Sequence, residues 1–395
     1  MIDWKREAEA QKEYTIALRR ELHQHPELGL QEHRTARRIE EELDNLAIPH
    51  ERVEETGVLA TLRGGRDGGV TVLRADIDAL PIQETNAVPY ASQTPGVMHA
   101  CGHDAHTACL LTAARLLAAH RAELHGEVRF LFQQAEEIGQ GARQFVQAGA
   151  LRGVERVFGL HTAYDLPAGS VGLKPGLNNA SVDHFTVTIR GRGAHVSTPE
   201  LGVDALYIAA QTVVAAQALV TRCSSPVEPV ILGIGKLNAG TTYNSVAEQA
   251  VLEGTTRTVS QESRRRMKEL LDAAAQNTAA IYGGTAEIEW EDFASPLLNT
   301  PEVCTEAAAL VTALGGQVIT DRKLSLSGDD FAEFLLEVPG AYAYLGTGNP
   351  ASPVHWCRTT PAILTLTRTS YRWVLPCMPP MPCGAGRKNN VYTRS

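Results

Sequence analysis

The densest group of chemically capable side chains in this 395-residue sequence lies in the run HACGHDAH, between His99 and His106. It holds three imidazoles and one thiol within eight positions. Imidazole nitrogen and thiolate sulfur are preferred ligands of zinc and related divalent ions. A structural zinc knuckle would need a second pair of Cys or His ligands nearby, and the neighbouring sequence has none. The run predicts a metal centre of another kind, with ordinary polar residues at a helix entry as the alternative.

Acidic and imidazole side chains also follow three predicted buried strands, in RADID (74–78), QQAEE (133–137) and GLH (159–161). The carboxyl ends of parallel strands meet at one sheet edge, where ligands bind in open α/β folds. We therefore expect these residues to converge on one site. The adjacent acids Glu136 and Glu137 suit two different roles, in which one ligates a cation and the other transfers protons.

Such a site favours hydrolysis, because two ions bridged by a thiolate or carboxylate bring the pKa of a shared water toward neutrality. Other chemistries lack their motifs. The glycine pairs miss the third glycine of a dinucleotide loop, and neither a Walker A lysine nor a Gly-x-Ser-x-Gly elbow is present. The formal net charge of −9 argues against nucleic acid and anionic membranes as partners. A small-molecule or peptide substrate is favoured.

The elements that must position these residues follow from the hydrophobic pattern. Strands alternate with helices across the first 160 residues, which predicts an α/β fold with a mostly parallel sheet and helices on both faces. One of these helices is expected at 105–119, with Asp104 as its N-cap. The block 180–292 reads as a smaller α+β domain, inserted between the two parts, 1–179 and 293–355, of a discontinuous catalytic domain.

The remaining 40 residues, 356–395, differ in composition, with six Lys or Arg and neither Asp nor Glu. This change indicates an appended segment or a shifted reading frame, with a flexible basic tail as the alternative. Seven scattered cysteines suit reduced thiols. The sequence has no apolar signal core and no run of 18 apolar residues, so we predict a cytoplasmic protein that makes no membrane contact.

Taken together, these segments resemble the superfamily of two-metal aminoacylases and carboxypeptidases. The most similar branch contains hippurate hydrolases, N-acyl-amino-acid amidohydrolases and indoleacetyl-amino-acid hydrolases. The resemblance spans about residues 15–350. The matching stretches are RRELHQHPELG (19–29), RADIDALP (74–81), HACGHDAH (99–106), QAEE (134–137), GLH (159–161), GAHVSTP (193–199), GTTR (254–257) and SGDDF (327–331).

The resemblance implies roles for individual residues. It implies two divalent ions per subunit, drawn from zinc, manganese, cobalt and nickel, with a thiolate in the bridging position. The implied metal ligands are Cys101, His103, Glu137, His161 and His355, with Cys101 as the bridge. Glu136 would be the general acid and base, His195 would steady the oxyanion, and Asp76 would orient a ligand from behind. Asn244 and Arg257 would contact the substrate.

The implied activity is cleavage of the amide bond of N-acyl amino acids by a metal-activated water. The resemblance also implies that residues 180–292 form a lid that pairs two subunits into a homodimer. Two other functions stay open. One is a metallopeptidase or carboxypeptidase, which needs room for a longer substrate. The other is a catalytically impaired metal-binding scaffold, which the atypical tail motivates.

Overall fold

The computed structural model describes residues 2–348, so His355 and the tail 356–395 lie outside the described residues. Its α-helices and β-strands alternate over most of this length. The helices are α1 (Trp4–Ala10), α2 (Lys12–Gln24), α3 (His33–Asn45), α4 (His103–Ala119), α5 (Gly141–Gln147), α6 (Ala205–Arg222), α7 (Gln261–Ile281), α8 (Pro301–Ala313) and α9 (Phe331–Glu337). The strands are β1 (His50–Val53), β2 (Gly57–Arg63), β3 (Arg66–Asp76), β4 (His125–Gln133), β5 (Val154–Pro167), β6 (Ser170–Gly172), β7 (Gly176–Asn179), β8 (Val182–Arg190), β9 (Ile231–Ala239), β10 (Gln249–Arg257), β11 (Thr285–Ala294), β12 (Leu297–Asn299), β13 (Gln317–Ile319) and β14 (Gly340–Gly348).

The larger sheet has eight strands in the order β1-β2-β4-β3-β5-β14-β6-β13. Its central strands β4, β3, β5 and β14 are parallel to one another. Antiparallel strands flank them, because β2 joins β4 and β6 joins β14 in that sense. The predicted α/β fold with a mostly parallel sheet is confirmed.

Helices cover both faces of this sheet because alternate residues of its strands point to opposite sides. Leu73 of β3 and Phe130 of β4 enter one core, together with side chains of α2, α3, α4 and α8. Their neighbours Val72 and Leu131 enter a second core, with side chains of α5 and α9. Strands buried on both faces explain the nearly continuous apolar runs in the sequence.

A separate four-stranded antiparallel sheet, in the order β11-β8-β10-β9, occupies residues 182–294 together with α6 and α7. The two helices pack on one face, where Phe185 and Val187 of β8 meet Leu271 of α7 in a distinct core. The other face carries intermediate and exposed residues, which explains the strict alternation of β8. Within residues 2–348, every helix is too short or too polar to cross a membrane.

Candidate metal centre

The candidate site lies at one edge of the larger sheet, where parallel strands β3 and β4 end side by side at Asp76 and Gln133. Asp78 follows β3, and Glu136 and Glu137 follow β4. His161 belongs to β5, which pairs with β3. Helix α4 starts at the same edge and brings Cys101 and His103 to it.

Four of the predicted ligands meet here. The Sγ of Cys101 lies 3.2 Å from Nε2 of His161. The Nε2 of His103 lies 3.8 Å from Oε1 of Glu137 and 4.0 Å from Oε2 of Glu136. Donor atoms of Cys101, His103 and His161 all lie within 4.8 Å of one another, and so do those of His103, Glu136 and Glu137. His103 therefore belongs to both of these groups of donors.

Hydrogen bonds orient the imidazoles with one nitrogen facing the cluster. The Nδ1–H of His103 donates to Oδ1 of Asp78 at 3.1 Å, and that of His161 donates to the carbonyl of Thr162 at 2.7 Å. Both Nε2 atoms are thereby left facing the cluster. Asp78 also accepts from the backbone N–H of Glu137 at 2.9 Å, so one carboxylate fixes two candidate ligands. Partners behind the ligands in this way set their tautomer and direction.

Two buried donor atoms at the centre of the cluster fit a bound cation. Nε2 of His103 and Oε1 of Glu137 are shielded from solvent and have no hydrogen-bond partner among the described residues. Buried polar atoms normally have a hydrogen-bond partner, and a buried polar atom without one destabilises the folded protein. A cation between these two atoms would satisfy both. The observed donors therefore fit the metal ions implied by the sequence.

Burial and neighbouring charges shift the pKa of each candidate ligand differently. Although burial opposes a charge on His103, the carboxylates of Asp76 and Asp78 outweigh it and raise its pKa well above the usual value. Burial lowers the pKa of His161 to about 4, which keeps it in the neutral form that ligates metals. Burial raises the pKa of Cys101 to about 12, so its thiolate needs a nearby positive charge to form.

Glu136 lies beside this cluster in a strongly acidic setting. Its carboxylate, with those of Asp329 and Asp330, forms a third group of donors within 4.8 Å. Burial, and then the charges of Asp329, Asp330 and Glu137, raise the pKa of Glu136 well above its usual value. Enzymes raise the pKa of catalytic glutamates by burial and neighbouring carboxylates, so this setting suits general acid and base catalysis.

Comparison with known proteins identifies the family. The family model described as peptidase family M20/M25/M40 matches residues 72–372. The chain belongs to peptidase family M20/M25/M40. This confirms the resemblance found in the sequence, and the protein is a hydrolase that acts on amide bonds.

Individual M20/M25/M40 relatives cover most of the chain. The N-acetylcysteine deacetylase of Bacillus subtilis (strain 168) is 41% identical over 337 residues, which are 84% of this chain and 88% of the relative. The N-acyl-L-amino acid amidohydrolase of Geobacillus stearothermophilus is 39% identical over 75% of this chain and 81% of its own. A solved Bacillus subtilis structure, described as a dinuclear metal-binding peptidase of the M20 family, has a TM-score of 0.76 and 37% identity. It covers 92% of this chain and 98% of its own.

In this M20/M25/M40 enzyme, Asp76 contacts residues behind the cluster. Its Oδ1 accepts from Nδ1–H of His106 at 2.5 Å, and its Oδ2 accepts from Arg74 at 2.6 Å. Nε2 of His106 accepts from the backbone N–H of Thr162 at 3.0 Å, so both nitrogens of this imidazole are paired. His106 is therefore not free to ligate as it stands. The candidate ligand His103 donates its Nδ1–H to Asp78 instead.

Three other predicted site residues lie in or beside the four-stranded sheet. His195 is exposed and pairs with Ser245 in an isolated bridge, and the N–H of Val196 donates to the carbonyl of Asn244 at 3.1 Å. Arg257 ends β10. Within residues 2–348, the metal-capable groups include none of these three predicted residues. Their proposed roles therefore concern the substrate, and the ligand role of His355 lies outside the described residues.

The prediction that Asp104 caps α4 is wrong. Gly102 is the N-cap, with φ of 95°, a left-handed conformation that glycine adopts freely. The Asp104 carboxylate is buried and pairs with Nε of Arg19 and Nδ1 of His23, each at 2.7 Å. A charged partner on α2 therefore outcompetes the local backbone amides. Residue types alone could not reveal this pairing, because 81 positions separate His23 from Asp104.

Residue types and spacing assigned no individual role to Asp78, Asp330 and Arg74, which also lie at the site. Asp78 was visible as the second acid of RADID, and Asp330 as the second acid of SGDDF. Arg74 is buried and donates to Asp76, to Asp330 at 3.1 Å and to Gln133 at 2.8 Å. Its positive charge offsets part of the surplus of carboxylates beneath the cluster.

Proposed function

We propose that this protein hydrolyses the amide bond of N-acyl amino acids. The observation that carries the proposal is the convergence of Cys101, His103, Glu137 and His161, with Glu136 in the donor group of His103 and Glu137. The names of the two curated relatives, a deacetylase of N-acetylcysteine and an N-acyl amino acid amidohydrolase, support this substrate class.

We propose two divalent ions at the cluster, drawn from zinc, manganese, cobalt and nickel, since nitrogen, sulfur and oxygen donors accept each of them. Cys101 is the proposed bridge, and His103, Glu137, His161 and His355 are the other ligands. When bound, such ions polarise a carbonyl group and make a water molecule more acidic. The unpartnered atoms of His103 and Glu137 support this assignment.

The chain's own residues transfer the proton, stabilise the oxyanion, bind the substrate and support the metal ligands. Glu136 accepts a proton from the attacking water and passes it to the leaving amine. His195 supplies a hydrogen bond to the oxyanion, from this subunit or its partner. Asn244 and Arg257 hold the substrate carboxylate, for which a guanidinium offers two parallel donors. Asp76 supports the cluster through Arg74 and His106, while Asp78 orients His103.

Turnover of a substrate panel tests the proposed activity. The purified full chain, loaded separately with zinc, manganese, cobalt or nickel, should release amino acid from hippurate or N-acetyl or indoleacetyl amino acids. Chelation should abolish the activity, and the same ion should restore it, because the donor groups need a cation to act. Elemental analysis of each sample gives the metal content per chain.

Each alternative function predicts a different outcome of that assay. Cleavage of dipeptides without cleavage of N-acyl amino acids would identify a metallopeptidase. Metal binding with no turnover of either class would identify a catalytically impaired scaffold and would contradict the proposal. The assay uses the full chain because the ligand His355 and the atypical tail both lie beyond residue 348.

We propose that residues 180–292 form a lid domain through which two copies of the chain pair. Among the described residues, β9 is an edge strand with β10 as its one partner. The packed helix α6 exposes apolar side chains, with Val214 67% and Leu206 48% exposed. An unpaired edge next to exposed apolar residues is typical of an association surface.

Val214→Glu should therefore shift the protein from dimer to monomer, because a charge would be buried in the apolar contact. Light scattering coupled to size-exclusion chromatography measures the change. Leu336→Glu on α9 is the matched control, since Leu336 is 52% exposed and lies on the larger domain. A wild-type monomer, or dissociation of both variants alike, would contradict the proposed interface.

We also propose a cytoplasmic location. In the described part of the chain, Cys101, Cys109, Cys223 and Cys304 are thiols that form no disulfide. Free thiols persist in reducing compartments, whereas secreted proteins usually oxidise them.

A further inference from the structure

The turn that carries Glu136 and Glu137 contains an unfavourable backbone conformation. Ala135, the residue before Glu136, has φ of 54°, in the left-handed region that L residues other than glycine rarely adopt. Ala135 is fully buried and lies two residues after the end of β4. A conformation of this kind persists only when the surrounding structure holds it in place.

The group that holds Ala135 is a buried carboxylate from a distant part of the chain. Oε1 of Glu32 accepts from the backbone N–H of Ala135 at 2.8 Å, across 103 positions of sequence. Its Oε2 accepts from the hydroxyl of Thr56 at 2.7 Å. Glu32 is 0% exposed and makes no side-chain cap to α3, although it occupies the N-cap position. Its carboxylate thus accepts a hydrogen bond from the turn rather than from the first turn of α3.

The segments on either side of Glu32 and Thr56 also pack closely against the turn. A methyl group at Gly29 would lie 3.2 Å from Cα of Ala135. A methyl group at Gly57, next to Thr56, would lie 2.2 Å from Oε1 of Gln134. The turn is therefore enclosed from the side of α3 and β2, while Asp78 holds the N–H of Glu137 from the side of the metal cluster.

We propose that Glu32 is a positioning residue, which holds the left-handed turn at Ala135 and so aims Glu136 and Glu137 at the cluster. This inference rests on the proposed function for its catalytic consequence. The consequence for the geometry of the turn is independent of the substrate. Without the carboxylate, the buried N–H of Ala135 loses its partner, and the turn is free to relax toward right-handed backbone angles.

Glu32→Met tests the proposal, because methionine keeps the length of the side chain and removes both acceptor oxygens. Amide hydrogen exchange of the full chain should accelerate in the peptide covering 133–141, with and without bound metal. The loss of a hydrogen bond to a charged group predicts a change of roughly 10- to 100-fold in exchange rate and in kcat. Metal affinity should also fall, since Glu137 shares the turn, whereas KM should change little.

Two further variants separate positioning from general destabilisation. Glu32→Gln keeps one carbonyl oxygen for the Ala135 N–H, so exchange of the turn should stay near the wild-type rate. In E32M/A135G, glycine adopts the left-handed angles without help, so kcat should recover by about tenfold over E32M. This double variant also replaces E32M if that protein does not fold.

The matched control is Glu42→Met on the same helix. Glu42 is a buried carboxylate that accepts from Tyr14 at 2.6 Å and from Arg38 at 2.6 Å, away from the turn. The Glu42→Met substitution should lower thermal stability and leave the amide hydrogen exchange rate of 133–141 unchanged. Wild-type exchange in E32M, or equal acceleration in E42M, would overturn the proposal. Absence of turnover in the wild type would contradict the proposed function alone, because exchange and metal affinity still report on the turn.

Discussion

The Glu136→Gln enzyme should bind as much metal as the wild type and turn over its substrate about 1,000-fold more slowly. Glutamine has the shape of the acid but accepts no proton from water and returns none to the amine. The buried setting beside Asp329 and Asp330, which raises the pKa of Glu136, is the reason to assign proton transfer to this residue. Steady-state kinetics and elemental analysis of the same preparation measure both quantities.

The adjacent substitution Glu137→Gln is the matched comparison. Glu137 presents an unpartnered buried oxygen to His103, so the amide should lower metal content along with activity. Thermal unfolding of both variants checks that each is folded. Turnover of Glu136→Gln at the wild-type rate would show that the proton is moved by another group. A loss of metal in Glu136→Gln, equal to that in Glu137→Gln, would make Glu136 a ligand instead.

The Cys101→Ala enzyme should lose most of its bound metal and its activity together. The sulfur of Cys101 lies 3.2 Å from Nε2 of His161, and alanine leaves no donor in its place. Loss of residues behind metal ligands typically weakens affinity 10- to 100-fold, so loss of the bridging ligand should weaken it by at least about 100-fold. Competition with a chelator of known affinity measures this change.

The control for this substitution is Cys109→Ala, which removes a buried thiol from α4, the helix that begins two residues after Cys101. Cys109 lies outside the groups of metal-capable donors in residues 2–348, so metal content should stay at the wild-type value. If Cys101→Ala retained two tightly bound ions per chain, a thiolate bridge would be ruled out. The bridge would then have to be a carboxylate, for example that of Glu136 or Glu137.

Much of the architecture was predictable because it depends on short-range patterns. The apolar runs of β3, β4 and β5 and the helices between them follow from hydrophobic periodicity and predict a parallel sheet. The block around β8 alternates polar and apolar residues, which separates a half-exposed antiparallel sheet from the buried one. These patterns reflect burial, which each strand records in its own residues.

The candidate site was predictable at the level of chemical type. The sequence placed thiol, imidazole and carboxyl groups after strand ends, and parallel pairing necessarily gathers such groups at one edge. It could not decide which members of each run face inward. His103 and His106 lie one helical turn apart, yet one presents a free nitrogen to the cluster and the other has both nitrogens paired.

The sequence by itself determined the family, the α/β fold and the donor types of a metal-dependent hydrolase, since these depend on local motifs and periodicity. The tertiary structure alone decided the supporting contacts. Asp78 rather than Asp76 hydrogen-bonds His103, and Glu32 reaches the Ala135 turn across 103 positions. The physical reason is that a buried carboxylate must find a donor wherever folding brings one. Such pairings arise from packing between distant segments, which residue spacing does not encode.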